Sequence, residues 1–239
     1  MTLLMPFSQV LAAALLLTLL SGRLCLAAPA FGGEVCSFAT ASTNKPPGAC
    51  SLTSNVPAGA TVVVLAAEDG NDYHVTNVTD TQGNTYVQTL YYHNTNYMPA
   101  EQSIWYAYVT HPLTSSDSVT ITWSAPITEW RSFAVNVAYL TGVAQVGQPD
   151  STAKNNDYLN GGTVAVRGRT VAPNTIVIGF LAANHFVWTI GPGWTIYRSE
   201  NVNIYYDFFY KVLSSAGVAD PGGAVRGENT YSGVWAAFR

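Results

Sequence analysis

Charged residues are scarce in this chain of 239 residues, since Asp, Glu, Lys and Arg together make up only 10% of it. The formal net charge is −4, and lysine and arginine form no basic stripe, which argues against nucleic-acid binding. The surface must therefore be polar without being charged. Such surfaces are common among secreted β-sandwiches.

Leucine is also rare beyond the first thirty residues, where valine, threonine and tyrosine dominate. These residues favour strands, so helix is expected to be a minor component. Short apolar runs recur roughly every 10 to 20 residues, separated by turn residues and without a helical period. This pattern predicts an all-β fold, namely a two-sheet antiparallel β-sandwich of jelly-roll type.

Long apolar runs are missing except for one, between Val10 and Leu20. It is shorter than the roughly 20 residues that a transmembrane helix needs. Small residues follow it, at Ala27, Ala28 and Ala30. We interpret residues 1–30 as a signal peptide cleaved after Ala30, with an uncleaved anchor as the alternative. The mature protein is then expected to be secreted and to have no membrane span.

The chain has only three cysteines, and cleavage would remove Cys25. Cys36 and Cys50 would remain, and in an oxidising compartment they should form a disulfide. We therefore predict a disulfide-tied N-terminal segment, residues 31–55, followed by a single β-sandwich domain, residues 56–239.

Two continuous apolar runs, Thr61–Ala67 and Thr175–Ala183, predict strands buried on both faces. Each follows a proline-containing turn, which indicates a faint internal duplication or two equivalent positions in one sandwich. Residues 75–90 read as a β-hairpin that turns at Asp80, Gly83 and Asn84. Residues 91–97 and 145–162 are polar and are expected to be irregular.

Sequence patterns of catalysis are missing as well. The chain has no Gly-x-Ser-x-Gly nucleophile elbow, its four histidines are dispersed, and no predicted strand carries the carboxylate pair of a glycoside hydrolase. We predict no catalytic residue. Asp69, Asn71 and Asp72 offer oxygen ligands in one loop and could bind calcium, although the same residues are ordinary turn formers.

Aromatic residues in polar loops are the main candidates for ligand binding. Sugar rings stack on tyrosine and tryptophan, while neighbouring amides and carboxylates bind the hydroxyl groups. The candidate residues are Tyr91, Tyr92, Tyr97, Trp130, Trp188 and Trp194. The alternative is that these rings cover an open end of the sandwich, whereas Trp105, Trp123 and Trp235 are assigned to the core. Asn77-Val78-Thr79 is a glycosylation sequon, which matters only if the source makes N-glycans.

The series of motifs resembles an uncharacterised β-sandwich module of large bacterial secreted and surface proteins. The matching positions are Gly59–Val64, Val78–Tyr86, Trp105–Ala107, Val119–Ser124, Tyr139–Val143, Pro173–Val177, Gly193–Thr195 and Trp235–Arg239. The resemblance implies a β-sandwich, an extracellular location and a carbohydrate-associated role without established catalytic residues. The chain departs from that pattern in carrying the module alone and in its Cys36–Cys50 segment.

Three functional hypotheses follow from the sequence. The leading one is a secreted, non-catalytic surface or adhesion module that binds polysaccharide. The second is a structural or assembly subunit of a coat or filament, which would need a long uncovered edge strand. The third is a glycan-active hydrolase, which would need two carboxylates facing each other in a cleft.

Overall fold

The computed structural model of the chain describes residues 27–42, 48–70, 73–95, 100–124, 130–184 and 188–239. For residues 42, 159–161, 188 and 225–229 it describes only the backbone. The described residues form sixteen strands, and the strands of every sheet pair antiparallel. The predicted all-β antiparallel sandwich is confirmed. None of these residues forms a helix long and apolar enough to cross a membrane.

The strands are distributed along the whole described chain. Their bounds are β1 Ala30–Ser42, β2 Ala49–Ser51, β3 Thr61–Glu68, β4 Val75–Asp80, β5 Val87–Asn94, β6 Ala100–Tyr108, β7 Ser118–Trp123, β8 Arg131–Thr141, β9 Ser151–Thr163, β10 Gly168–Thr170, β11 Thr175–Ala183, β12 Trp188–Thr189, β13 Thr195–Asn201, β14 Tyr205–Leu213, β15 Gly217–Ala219 and β16 Ala224–Phe238. The stretch 151–162, expected to be irregular, is thus strand β9. Its polar sequence is that of a strand at a sheet edge.

Two large sheets form the body of the molecule. The first inner sheet has the strand order β1-β8-β3-β6-β5. The second inner sheet has the order β9-β16-β11-β14-β13, with the short β12 beside the start of β16. The central strands β3 and β11 are buried at every residue, as their continuous apolar sequences predict.

The second half of the chain repeats the topology of the first. Every strand pairing of the first inner sheet recurs in the second between strands numbered eight higher. The registers agree too, since Val63 on β3 lies opposite Tyr106 on β6, and Ile178 on β11 lies opposite Tyr210 on β14. The faint duplication in the sequence is therefore a duplication of both inner sheets, and the outer pair β2–β7 recurs as β10–β15. The outer strand β4 breaks the correspondence, because it pairs with β7 whereas β12 pairs with β16.

The inner sheets pack face to face through their equivalent faces. Val63 and Leu65 of β3 share one fully buried cluster with Ile178 and Phe180 of β11. Contact between the same surfaces of two similar units is the arrangement of an isologous dimer, here within one chain. Each half covers the apolar face that the other would expose to water, so both contribute to one shared core.

Each inner sheet also carries a small sheet on its outer face, β2-β7-β4 on the first and β10-β15 on the second. Trp105 is buried under the first outer sheet with Val119, and Trp235 is buried under the second. The Nε1 of Trp235 donates a hydrogen bond of 2.6 Å to the carbonyl of Val166. Both tryptophans belong to the core, as predicted.

The predicted disulfide is confirmed. Cys36 on β1 is bonded to Cys50 on β2, and their Cα atoms are 6.0 Å apart. The bond ties β1, an edge strand that pairs with β8 of its own chain, to the outer sheet of the same half. Donation of β1 to a second subunit would have to break this anchored pairing.

The predicted hairpin of residues 75–90 is wrong, because β4 pairs with β7 in the outer sheet while β5 pairs with β6 in the inner sheet. The predicted turn at Asp80, Gly83 and Asn84 is nevertheless present, and the N–H of Gly83 donates a hydrogen bond to the carbonyl of Asp80. The Oδ1 of Asp80 accepts the N–H groups of Gln82 and Asn84. The Oδ1 of Asn84 in turn accepts the N–H groups of Thr110 and His111. These hydrogen bonds hold the connection between β4 in the outer sheet and β5 in the inner sheet.

Candidate functional site

The described members of the predicted aromatic set are spread over both halves of the molecule. Tyr91 and Tyr92 lie on strand β5 rather than in a loop, so their side chains point to opposite faces. Trp130 precedes β8 with its side chain 48% exposed. Trp194 packs edge-on against Phe209, with ring centroids 5.4 Å apart, on the outer face of the second inner sheet.

Other predicted site residues fall outside the structural description. Tyr97, Asn71 and Asp72 lie outside the described residues. For Trp188 only the backbone is described, and it pairs with Val225.

Asp69 is the described member of the predicted calcium set. Its Oδ1 accepts the backbone N–H of Ser132, and burial raises the pKa of its carboxyl group. This bond holds the turn after β3 against the start of β8. Within the described ranges, no group of three or more His, Cys, Asp and Glu side chains is placed to hold a metal ion.

A pair of carboxylates that the sequence did not reveal lies at the end of the first inner sheet. Glu68 on β3 and Glu101 on β6 are directly opposite each other. The Nε of Arg131 lies 3.2 Å from Glu68, and the Nδ1 of His93 contacts Glu101. Burial and a hydrogen bond to Glu101 raise the pKa of Tyr91. Both carboxylates are buried and face a basic side chain, whereas a glycoside hydrolase presents its pair to the substrate.

The face-to-face packing leaves a seam along each side of the two inner sheets. One seam runs between the edge strands β1 and β13, and the other between the edge strands β5 and β9. In the duplication β1 corresponds to β9, and β13 corresponds to β5. The two seams are therefore equivalent places in the two halves, and their side chains can be compared position by position.

Aromatic rings fill the seam between β1 and β13. The ring of Phe31 stacks on Tyr210 with centroids 4.3 Å apart, and it lies 4.6 Å from the ring of Tyr197. The hydroxyl of Tyr197 donates a bond of 2.7 Å to Asn136, whose amide donates to Glu34 at 2.8 Å. Stacked rings and a series of hydrogen-bonded side chains thus close this seam.

The second seam differs from the first at a shared bulge. Strand β5 has a β-bulge between positions 88 and 90, opposite Trp105 and Ile104. Strand β13 has a bulge between positions 196 and 198, opposite the corresponding residues of β14. The bulged residue is Thr89 in β5 and Tyr197 in β13. Threonine has no ring to fill the space that tyrosine fills, and the seam between β5 and β9 is an open groove.

This β5–β9 groove has two connected sections. The first, with a volume of about 410 Å³, is lined by Val87, Gln88, Thr89, Tyr106, Gln148, Pro149, Ser151 and Thr152. The second, with a volume of about 390 Å³, is lined by Thr89, Leu90, Tyr91, Thr152, Ala153, Lys154 and Arg167. Thr89 and Thr152 belong to both. Of the predicted aromatic set, Tyr91 lines the groove.

Tyr106 gives the first section an aromatic wall. Its hydroxyl donates a bond of 3.0 Å to the carbonyl of Gln148, and its ring packs edge-on against Phe238 at 5.6 Å. Tyr106 corresponds to Tyr210, whose ring is covered by Phe31 in the closed seam. The ring of Tyr106 is thus held in place and borders open space.

Tyr92 fixes the wall beside the second section. Its hydroxyl donates to the Oδ1 of Asn156 on β9, which links the two inner sheets across the seam. The Nζ of Lys154 lies 4.9 Å from the centroid of the Tyr92 ring. Burial raises the pKa of Tyr92. Tyr92 is therefore a support of the groove rather than one of its lining residues.

The groove also holds polar side chains without hydrogen-bond partners among the described residues. Thr89 Oγ1 and Ser151 Oγ are buried in the wall without a bond. Gln88 and Thr152 are exposed residues, and neither side chain forms a hydrogen bond with another described residue. Buried polar groups normally have partners, so the hydroxyls of Thr89 and Ser151 at the groove are available to a bound ligand.

Sequence reasoning missed most of these residues. Thr89, Tyr106 and Lys154 belong to no motif, and the two sides of the groove are distant in the chain, since Tyr92 and Asn156 are 64 residues apart. The available signal was the duplication. Superposing the two halves at their bulges would have set Thr89 against Tyr197.

Comparison of the chain with protein family models, with curated proteins and with solved structures gave no match. The function must therefore be argued from the geometry of the groove.

Proposed function

We propose that this protein is a secreted, non-catalytic surface or adhesion module that binds polysaccharide in the β5–β9 groove. The observation that carries the proposal is the contrast between the two equivalent seams. One is closed by Phe31 and Tyr197, and the other is open at Thr89. In this duplicated fold one seam is closed. The open seam offers space between two sheet edges that a chain-like ligand can occupy.

The side chains of the groove match the chemistry of sugars. The C–H face of a pyranose ring packs on an aromatic ring, and Tyr106 offers one that is already fixed by its hydroxyl. Sugar hydroxyls both donate and accept hydrogen bonds. Gln88, Thr89 and Ser151 supply an amide and two hydroxyls that have no partner among the described residues.

A peptide is a less suitable occupant. Extended peptides bind by adding a strand to a sheet edge, which requires a regular row of free backbone groups. The edge of β5 is interrupted by its bulge at Thr89, in the middle of the groove. Bulges blunt edge strands against such pairing. Recognition by side chains, as for a glycan, suits this edge better.

Secretion is supported by three features of the chain. The Cys36–Cys50 disulfide is a feature of proteins from oxidising compartments. The scarcity of charged residues suits a surface module outside the cell, and the resemblance to a carbohydrate-associated module of secreted proteins agrees with it.

The test is to close the groove with the side chain that closes its equivalent seam. Wild type, Thr89→Tyr and a control, Thr122→Tyr, are compared on a polysaccharide array and then by titration with the retained polymer. Thr122 is an exposed residue of strand β7 outside the groove. We expect Thr89→Tyr to keep its melting temperature and to lose at least about tenfold in affinity, equivalent to about 1.4 kcal/mol. The control should bind like the wild type.

Two results would overturn the proposal. One is a folded Thr89→Tyr variant that binds polysaccharide as tightly as the wild type. The other is a wild type that retains no polysaccharide. Retention of an extended peptide that Thr89→Tyr abolishes, in the absence of any glycan binding, would reassign the groove to peptide recognition.

A further inference from the structure

We infer that the polysaccharide bound in the β5–β9 groove is anionic, and that its acid group contacts the ammonium of Lys154. This inference rests on the proposed function, because it concerns the ligand of the same groove. It follows from where the few basic side chains of the protein are placed.

The chain has only 10 lysines and arginines among 239 residues, yet Lys154 and Arg167 both line the second section of the groove. The Nε of Arg167 is 3.0 Å from Asp220, so much of its charge is already paired. Lys154 forms no ion pair with any described residue. A cation in a groove without an ion-pair partner can bind the acid group of an anionic ligand.

The ammonium of Lys154 is also held in position. It lies over the ring of Tyr92, and the hydroxyl of Tyr92 is bonded to Asn156. Attraction to an aromatic face restricts the freedom of a cationic side chain. Less entropy is then lost when an acid group binds, which strengthens the contact.

No carboxylate among the described residues lines either section to repel such a ligand. The nearby acids Asp150 and Asp220 accept hydrogen bonds from backbone N–H groups, and Asp220 is also paired with Arg167. The Oδ2 of Asp150 accepts the N–H of Val171 at 2.8 Å, and the Oδ1 of Asp220 accepts the N–H of Val166 at 3.1 Å. With a net charge of −4, the protein as a whole does not attract polyanions. Preference for an acidic chain must therefore come from this local cation.

The acid could be a carboxylate, as in a uronic-acid polymer, or a sulfate ester. Both present oxygen anions that accept hydrogen bonds from an ammonium group. The contact lies near solvent, so added salt should weaken it.

The experiment measures binding of two matched polymer pairs to the full secreted protein. The first pair is polygalacturonate and its fully methyl-esterified form, and the second is dextran sulfate and dextran. The variants are Lys154→Gln and a control, Lys211→Gln. Lys211 also holds its ammonium over an aromatic ring, 5.5 Å from the centroid of Trp194, but it lies outside the groove.

We expect the wild type to bind at least one acidic polymer about tenfold or more tighter than its neutral partner, as charge-assisted hydrogen bonds suggest. Lys154→Gln should abolish that difference, and Lys211→Gln should preserve it. The acidic polymer that shows the difference identifies the acid group as carboxylate or sulfate.

Equal binding of acidic and neutral polymers would overturn the inference. If Thr89→Tyr still abolished that binding, the proposed function would stand without the acid contact. Equal losses in Lys154→Gln and Lys211→Gln would assign the preference to overall charge and also overturn the inference.

Discussion

Thr89 and Tyr197 occupy the bulged position of two equivalent strands, β5 and β13. The tyrosine ring packs against Phe31, and its hydroxyl is bonded to Asn136. The threonine leaves a groove between the two inner sheets. This difference in side-chain size at a shared position is thus one of the features that separate the closed seam from the candidate binding site.

The closed seam should contribute strongly to stability. We expect Tyr197→Thr to lower the free energy of unfolding by about 3 kcal/mol or more, because it removes a packed ring and the partner of the buried Asn136. Urea denaturation measures the effect. Thr89→Ala is the matched control and should cost less than about 1 kcal/mol. Similar costs for both variants would mean that the two seams do not differ as described.

The disulfide should stabilise the first half. Its closed loop has a sequence separation of 14, for which loop entropy predicts about 3 kcal/mol. We expect the double variant Cys36→Ala, Cys50→Ala to unfold at correspondingly lower urea, and the wild type to match it after reduction. A double variant as stable as the oxidised wild type would contradict this.

Asp207 should make stability depend on pH. Burial raises the pKa of its carboxyl from 3.8 to about 6, against the opposing effect of a hydrogen bond from Ser199. Because the folded-state pKa is the higher one, the contribution is fully present below about pH 4 and is lost as the pH rises through about 6. Relative to Asp207→Asn, the wild type should lose roughly 3 kcal/mol between pH 3 and pH 7.

Urea unfolding at several pH values tests this prediction. Asp157→Asn, on the exposed side of β9, controls for the loss of one carboxylate. A constant difference between wild type and Asp207→Asn across the pH range would show that the carboxyl is not perturbed by burial.

Two tryptophans should differ sharply in their effect on stability. Trp105 is 8% exposed in the core under the first outer sheet, whereas Trp130 is 48% exposed. We expect Trp105→Ala to cost about 3 to 5 kcal/mol. Trp130→Ala should cost about 0.5 kcal/mol or less. Thermal or urea melts of both variants settle the comparison, and a loss below about 1 kcal/mol for Trp105→Ala would contradict its placement in the core.

The sequence predicted the parts of the fold that local chemistry controls. The apolar runs of β3 and β11, the Asp80–Asn84 turn and the pairing of Cys36 with Cys50 were all predicted correctly. Burial on both faces, turn formation and disulfide pairing each depend on residues close in sequence or on a choice among very few partners.

The sequence could not predict which strands pair. The alternation of apolar and polar residues along 75–90 indicates which side chains are buried. The same alternation is compatible both with a hairpin and with a chain that crosses from one sheet to another. Tyr91 and Tyr92 were assigned to a loop because their neighbours are polar, yet polar residues also suit an edge strand such as β5. The groove lies between two edge strands that are distant in the chain, so it becomes visible only in the packed structure.

The most direct test of the central claim is amide hydrogen exchange of the wild-type protein with and without a saturating concentration of a retained polysaccharide. Binding in the β5–β9 groove predicts slower exchange in residues 87–91 and 148–154, with the seam between β1 and β13 unchanged. Protection centred on Trp130 and the start of β8, with no change in those two segments, would contradict the account.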